Sequence, residues 1–425
     1  MASRAVAGAT LPTLALEHVA ELSSIAGEDH ALLALRNQAR ESLVPLVLPN
    51  RARHLWRYTD PARFLPDTDP TDLTPADVGP TWRLEEPLSV AGLLAGGALR
   101  VVEVDAQARK AGVVVENLHT AQATEFLGKV VSESHGFVEA INAAAWRGGV
   151  LVRVPDRVEL EHPIRLRIVA GPLTLPRVLV VAGEGSSFEI IEGHVGGDRS
   201  NGKVLGVTEI LVARDANVRY GLVQRWDPGI VGHLTARARV AGGARFQLSL
   251  ASFGGSTFKA DVGAFLAGEG AEVETAGVAM GGDQQHFDHH TEHIHEAGKT
   301  FSNLDFKVAL THAARSAYTG MIRIARHAGG SQAYQENRNL LLSHDARAES
   351  IPELEILTDD VRCSHGATVA PIDPEQLFYL QSRGLANLQA MRVIVYGFLD
   401  QTLARLPQTT RERIEALVAA RLHTE

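Results

Sequence analysis

The sequence predicts a mainly β protein, in which a parallel β-helix forms the core between helical regions at both ends. Three observations predict it: 39 glycines stand against only 5% aromatic residues, a turn-and-alternation unit recurs from about residue 148, and both ends carry apolar residues at helical spacing. We therefore expect an N-terminal helical or mixed domain at 1–147, the β-helix core at 148–369 and a C-terminal helical domain at 370–425.

The N-terminal region combines helical patterns with irregular chain. Apolar residues recur every three or four positions in two segments, and Pro45 and Pro49 end the second. A stretch rich in Pro and Asp follows, which is typical of irregular connections. The predicted elements are helices at 14–26 and 29–43, a connection at 61–87, a strand at 98–104 and a helical segment near 121–145.

A repeated unit defines the predicted β-helix. Each copy opens with a residue that tolerates a left-handed backbone and continues with side chains that alternate in polarity. Successive openings lie 30, 28, 27 and 28 residues apart, which is typical of stacked solenoid coils. An antiparallel sandwich with similar turns is the alternative. The openings are Gly185, Asp215, Gly243, Gly270 and Gly298, and Gly330 and Asp345 extend the series less regularly.

The C-terminal region predicts three helices. Asp373 is the expected N-cap of the first and Gly384 its C-cap, and the other two cover 385–406 and about 409–422. The middle helix displays more apolar surface than one solenoid end needs, so we expect part of the module to dock a partner. Covering the open solenoid end is the alternative. Its apolar residues are Leu388, Met391, Val395, Phe398, Leu399 and Leu403.

Charge, hydropathy and cysteine content exclude several classes of function. Lys and Arg are dispersed through a chain of net charge −9, which provides no basic stripe for nucleic acid. No run of about 18 apolar residues is present to span a bilayer, so we expect a cytoplasmic protein without membrane contact. Cys363 is the only cysteine, which excludes an intramolecular disulfide and a site built from thiolates alone.

One segment nearly matches a phosphate-binding P-loop. The stretch 197–204 has the glycines and Lys203, but Val204 stands where a Ser or Thr would hold magnesium. The following residues alternate like a strand, whereas a P-loop needs a helix N-terminus that faces the phosphates. We therefore expect a surface hairpin loop, and no nucleotide on this chain.

A histidine-rich segment at 285–295 is the densest cluster of candidate metal ligands. Its imidazoles and carboxylates are the groups that bind zinc, iron or manganese. A metal site that includes His286 and His295 is one interpretation, and a structural or pH-sensitive patch on the β surface is the other. Because side chains alternate along a strand, the cluster divides into one face with His289, His293 and His295 and another with His286, Asp288, His290 and Glu292.

Cys363 and His365 form a second candidate site. On a strand both side chains lie on one face, about 6.6 Å apart along the chain, so they can approach one metal or adjacent cluster atoms. A protonated His365 would also favour the reactive thiolate. No third residue follows at the spacing of a nucleophilic triad, and we predict no catalytic residues. An inert buried thiol beside an incidental histidine is the alternative.

Three segments near the C-terminus, at 340–356, 359–369 and 375–384, form a pattern with the upstream Gln285-His286 and Phe301-Ser302-Asn303. Together they resemble the SufB/SufD family of iron-sulfur cluster assembly proteins. The Cys-Ser-His-Gly at 363–366 is most similar to SufD-type members, since SufB-type chains usually carry Cys-Glu-His-Glu there. The Trp-Arg-Tyr-Thr at 56–59 is similarly SufD-like.

The resemblance implies a right-handed parallel β-helix that acts as a non-catalytic scaffold in a cytosolic Suf complex. A SufD-type chain pairs there with a SufB-like scaffold and binds a SufC-like ATPase through its C-terminal helices. Cys363 and His365 then fall at the cluster-assembly interface, with His365 the stronger candidate. The iron-sulfur cluster would be transient and shared, because one cysteine cannot supply the four or so ligands that a cluster takes. The expected partner-binding residues are Gln376, Phe378, Tyr379, Arg383, Gly384 and Phe398.

Two other classes of function compete with the scaffold. One is a stand-alone metal-binding β-helix enzyme that uses His286 to His295, and the other is a carbohydrate-active β-helix, whose aromatic groove the repeats do not provide. The residues His289, His290 and His293 depart from the family pattern, so the sequence leaves their role open. The sequence leaves open the cluster type, the iron and sulfur donors, the use of reduced flavin by the complex, and a homodimer of the isolated chain through an exposed β edge.

Overall fold

The computed structural model describes residues 16–44, 46–67, 87–119, 123–196 and 201–424. The predicted start of the first helix at 14, Pro45, most of the connection at 61–87, the start of the segment at 121 and the first part of the P-loop-like stretch lie outside these residues. Within the described ranges, no helix is long and apolar enough to cross a membrane.

The N-terminal region contains both helices and strands. Its elements are α1 (Leu16–Ala26), α2 (His30–Leu43), two 3-10 helices (His54–Trp56 and Pro61–Phe64), β1 (Val90–Ala95), β2 (Ala98–Val104), α3 (Ala106–Lys110), β3 (Val114–Asn117) and α4 (Phe137–Ala145). The predicted strand at 98–104 is confirmed. Of the helical segment expected near 121–145, only α4 is helical, because Gly128 and Gly136 interrupt the preceding stretch with turns.

The central region is built from strands that stack as a solenoid. They are β4 (Val150–Val154), β5 (Ile164–Val169), β6 (Leu173–Thr174), β7 (Arg177–Ala182), β8 (Ser187–Val195), β9 (Gly202–Val212), β10 (Asn217–Arg225), β11 (Ile230–Val240), β12 (Arg245–Ser252), β13 (Thr257–Leu266), β14 (Glu272–Gly281), β15 (His286–His295), β16 (Phe301–Leu310), β17 (Arg315–Ile324), β18 (Ser331–Leu341), β19 (Arg347–Ile356) and β20 (Val361–Pro371).

From β8 onward, successive strands alternate between two parallel sheets, so that one coil contributes one strand to each. The first sheet has the order β2-β1-β5-β8-β10-β12-β14-β16-β18-β20, and the second has the order β19-β17-β15-β13-β11-β9-β7-β4-β3. Only the outermost pairs, β1 with β2 and β3 with β4, are antiparallel among the described strands. The parallel solenoid with helices at both ends confirms the predicted fold class and excludes the antiparallel sandwich.

The repeated turn residues mark the entry to the first sheet. Gly185, Asp215, Gly243, Gly270 and Gly330 all have a positive φ, and each precedes a strand of that sheet by two residues or fewer. In the unit that begins at Gly298, the left-handed residue is Lys299. The irregular member, Asp345, precedes β19 of the second sheet and therefore lies half a coil out of phase.

Apolar rows fill most of the solenoid interior. Val218, Phe246 and Val273 stack on one another across β10, β12 and β14, and each is at most 2% exposed. Burial of such a side chain contributes about 1.5–3 kcal/mol, so the stacked coils themselves supply the main stabilisation of the core.

Three helices follow the last coil: α5 (Pro374–Ser382), α6 (Asn387–Leu403) and α7 (Gln408–Thr424). As expected, Asp373 caps α5, through a 2.9 Å hydrogen bond from the Glu375 amide. The apolar faces of α6 and α7 pack against the outer face of the first sheet and not over the last coil. The cluster joins Val395, Leu399, Leu403, Ile414 and Val418 to Val223, Ala251 and Met280.

Candidate functional site

The last coil of the solenoid has two exposed edges. In the described part of the chain, β20 pairs only with β18 and β19 only with β17. Most side chains of β20 are exposed, and Val369 is 43% exposed. Each edge therefore presents backbone donors and acceptors that another strand can pair with.

Cys363 and His365 lie on the inner face of β20. Cys363 is in register with the buried Ala333, and His365 with Gln335, so both side chains point toward the end of the core, as the sequence predicts. Cys363 is half-buried and packs near Leu354. Burial raises the pKa of its thiol, so the environment of Cys363 favours the protonated form and not the thiolate.

Five of the six predicted partner-binding residues lie on α5 or in the two residues directly after it. No residue of this helix is buried, and Phe378 and Tyr379 are 71% and 57% exposed. Gln376, Arg383 and Gly384 are also exposed. Phe398 differs, because it is half-buried on α6 and lies against the solenoid with Nζ of Lys307 5.5 Å from its ring centre.

The histidine-rich segment forms β15, and its two predicted faces are confirmed. The inner face carries His289, His293 and His295, all fully buried. Their ring nitrogens lie 2.7–2.9 Å from hydroxyls of Ser252, Thr275, Thr300 and Ser302. Burial lowers the pKa of His289 and His293 to about 3 and that of His295 to about 4. They are therefore neutral core residues near pH 7.

The candidate ligands His286 and His295 lie on opposite faces of β15, so one ion cannot bind both. The outer face is not open to solvent as a free β surface would be, because the N-terminal region covers it. Nε2 of His286 lies 2.8 Å from the Thr59 hydroxyl, which also donates to Asp288. Lys259 pairs with Asp288 at 3.0 Å, and its Nζ lies 5.0 Å from the Trp56 ring centre.

Sequence reasoning missed a polar cavity beside this face, which is lined by residues of the N-terminal region and of β11, β13 and β15. Burial alone would raise the pKa of Asp261. The charges of Arg237 and His290, together with the hydrogen bonds to His135 and His290, instead hold it well below its usual range. Burial would lower the pKa of His135, but its hydrogen bond to Asp261 raises it overall. These residues carried no local motif, because they lie up to 155 positions apart in the sequence.

The P-loop-like stretch does not form a helix after its lysine. Lys203 lies in β9, and its ammonium group contacts the Leu65 carbonyl and Asp67. The strand predicted for this segment is confirmed, and residues 197–200 lie outside the described ranges.

Comparison with known proteins identifies the family. The family model described as "SUF system FeS cluster assembly, SufBD core domain" matches residues 167–398, which is more than half of the chain and covers β6 to β20, α5 and most of α6. The chain belongs to the SufBD family. The match covers both exposed edges and the Cys363-His365 pair.

Relatives of this SufBD protein include chains named iron-sulfur cluster assembly SufBD family proteins. That of Staphylococcus epidermidis is 30% identical over 298 residues, which are 69% of this chain and 64% of the relative. That of Staphylococcus haemolyticus is 29% identical over the same length and the same shares. The alignment thus spans less than two thirds of each relative.

Proposed function

We propose that this SufBD protein is a non-catalytic, SufD-type scaffold subunit of a cytosolic complex that assembles iron-sulfur clusters. The observation that carries the proposal is the exposed last coil, where the edges of β19 and β20 are open and Cys363 and His365 lie on the inner face of β20. Exposed edges of this kind are suited to pairing with strands of another chain. A SufB-like scaffold is the partner proposed for them.

The cluster is cargo that both chains hold. Cys363 and His365 provide at most two ligands, so the partner supplies the rest of the roughly four that a cluster takes. Because burial raises the pKa of the Cys363 thiol, iron must displace a proton to bind this sulfur. His365 is exposed, so its imidazole can approach a cluster held by the partner.

The second partner, a SufC-like ATPase, is proposed to dock on α5. No residue of this helix is fully buried, and Phe378 and Tyr379 are both exposed. Aromatic side chains with this exposure are typical anchors of a protein interface.

Co-expression with a SufB-like chain and a SufC-like ATPase tests the proposal. We expect both partners to co-purify with this chain and the complex to contain iron and sulfide. The double variant Cys363→Ser with His365→Ala should keep both partners and its circular dichroism spectrum, but lose most of the iron and sulfide, and His365→Ala should account for the larger share.

The matched control is His344→Ala, which removes an imidazole that is 97% exposed in a turn before β19. This variant should assemble clusters normally. A complex that contains normal iron and sulfide with the double variant would refute the site, and failure of both partners to co-purify would refute the scaffold role.

A further inference from the structure

A polar cavity of about 340 Å³ lies where the outer face of the second sheet meets the N-terminal region. His135 and Glu139, on either side of the start of α4, and Asp261 of β13 each bring one potential ligand atom within 4.8 Å of the other two. We propose that these three side chains bind a divalent transition-metal ion. This inference goes beyond the assembly role and does not rest on it.

Two of the groups that hold Asp261 in place contact the same oxygen, Oδ1. Oδ1 lies 2.8 Å from Nδ1 of His290 and also accepts a hydrogen bond from Arg237. Oδ2 lies 2.9 Å from Nε2 of His135. Because Arg237 and His290 hold Oδ1, a metal ion can replace the proton of the hydrogen bond between Oδ2 and His135 while the carboxylate keeps its orientation.

Glu139 is oriented in a comparable way. The Thr235 hydroxyl donates to Oε1 of Glu139. The other oxygen, Oε2, lies against the backbone of Gly136, where a Cβ would be only 2.5 Å from it. The absence of a side chain at Gly136 therefore leaves the space that this carboxylate occupies beside His135.

The carboxylates that line the cavity outnumber its Lys and Arg side chains. Arg237 is shared by Asp261 and Glu292, the latter at 2.9 Å, and Lys259 pairs with Asp288. In the described part of the chain, no Lys or Arg side chain pairs with Glu139, which is only 4% exposed. Nδ1 of His233 lies 4.0 Å from Oε1 of Glu139, but burial lowers the pKa of this imidazole. A buried carboxylate needs a counter-charge, and a divalent ion bound between Glu139 and Asp261 supplies one.

One imidazole nitrogen and two carboxylate oxygens form a donor set suited to zinc, ferrous iron or manganese. The His135 side chain is 25% exposed, so an ion can enter from solvent and water can complete its coordination. The competing role is an ion-pair network that only fastens the N-terminal region to the solenoid. That role requires no metal, and the two are separable by experiment.

The test is a titration of the purified full-length chain, first stripped with a chelator, with Zn²⁺ alone and with Co²⁺ alone. We expect one tight site per chain. The absorption spectrum of bound Co²⁺ should show visible bands of nitrogen and oxygen ligation and no thiolate charge-transfer band in the near ultraviolet, which separates this site from Cys363. His135→Ala should remove the site, and His290→Ala should weaken it by about 10–100-fold, because it frees Asp261.

The control is His119→Ala. Like His135, His119 is a partly buried histidine that contacts a carboxylate, with its Nδ1 2.6 Å from Glu28, but it does not line the cavity. It should bind metal like the wild type, and thermal melts should show all variants folded. Absence of a tight site in the wild type, equal binding by His135→Ala, or a thiolate band would each overturn the proposal. Loss of partner binding without loss of metal would contradict only the scaffold role.

Discussion

Single residues of β15 show that the chemistry of a histidine depends on the face it occupies. His293 is fully buried, and its Nε2 lies 2.9 Å from the Thr275 hydroxyl. His290, three residues earlier, instead lies 2.8 Å from Asp261 beside the cavity. The same side-chain type therefore serves as a neutral core residue on one face and as a partner of a carboxylate on the other.

The inner histidines should make the protein sensitive to acid. Their folded-state pKa values of about 3 to 4 lie below the value of about 6.5 in the unfolded chain. Since the unfolded state then binds more protons, stability is lost as the pH falls from about 6.5 toward 4, by up to about 1.4 kcal/mol per pH unit for each histidine.

His293→Gln tests this, because glutamine keeps a hydrogen-bonding group near Thr275 but does not titrate. The drop in urea midpoint between about pH 7 and about pH 5 should be smaller in the variant than in the wild type. The control His344→Gln changes a histidine exposed in a turn and should leave the drop unchanged. An equal drop in His293→Gln and wild type would show that His293 does not contribute to acid sensitivity.

The C-terminal helices differ in what they bury. The apolar residues of α6 and α7 cover the outer face of the first sheet, so these helices form part of the folded unit. Deleting them would expose that face and cause aggregation, which would hide any effect on binding. No residue of α5 is fully buried, and Phe378 and Tyr379 are exposed, so point changes at these two residues can test docking without this complication.

We expect Phe378→Ser combined with Tyr379→Ser to abolish retention of the SufC-like ATPase, because the pair is the most exposed aromatic surface of α5. The melting temperature and the pairing with the SufB-like chain should not change. Ile25→Ser is the matched control, since it removes an apolar side chain of α1 that is 60% exposed. Retention of the ATPase by the double variant would place its docking surface elsewhere.

At the scale of the whole molecule, the solenoid has unlike ends. The N-terminal end finishes with the antiparallel pairs β1-β2 and β3-β4, whereas the C-terminal end leaves β19 and β20 with one strand partner each in the described chain. A parallel solenoid cannot pair its own last edge, so this edge is where a second chain can continue the sheets.

Val369→Lys places a charge on this edge, at a side chain that is 43% exposed. In a pull-down, we expect this variant to lose the SufB-like chain and to retain the ATPase. The α5 variant should do the reverse and lose only the ATPase. An added lysine opposes strand pairing. Val47→Lys, at an N-terminal residue that is 68% exposed, serves as the control. Normal pairing by Val369→Lys would contradict an interface at the β20 edge.

The sequence by itself determined the solenoid, the two faces of β15 and the shared face of Cys363 and His365. These follow from alternation along a strand and from turn residues at a regular spacing, both of which are local properties. The tertiary structure alone decided that α6 and α7 cover a sheet, that the N-terminal region covers the outer face of β15, and that His135, Glu139 and Asp261 meet. Such contacts join residues far apart in the chain. Each depends on how whole elements pack together, and a local sequence pattern carries no information about that packing.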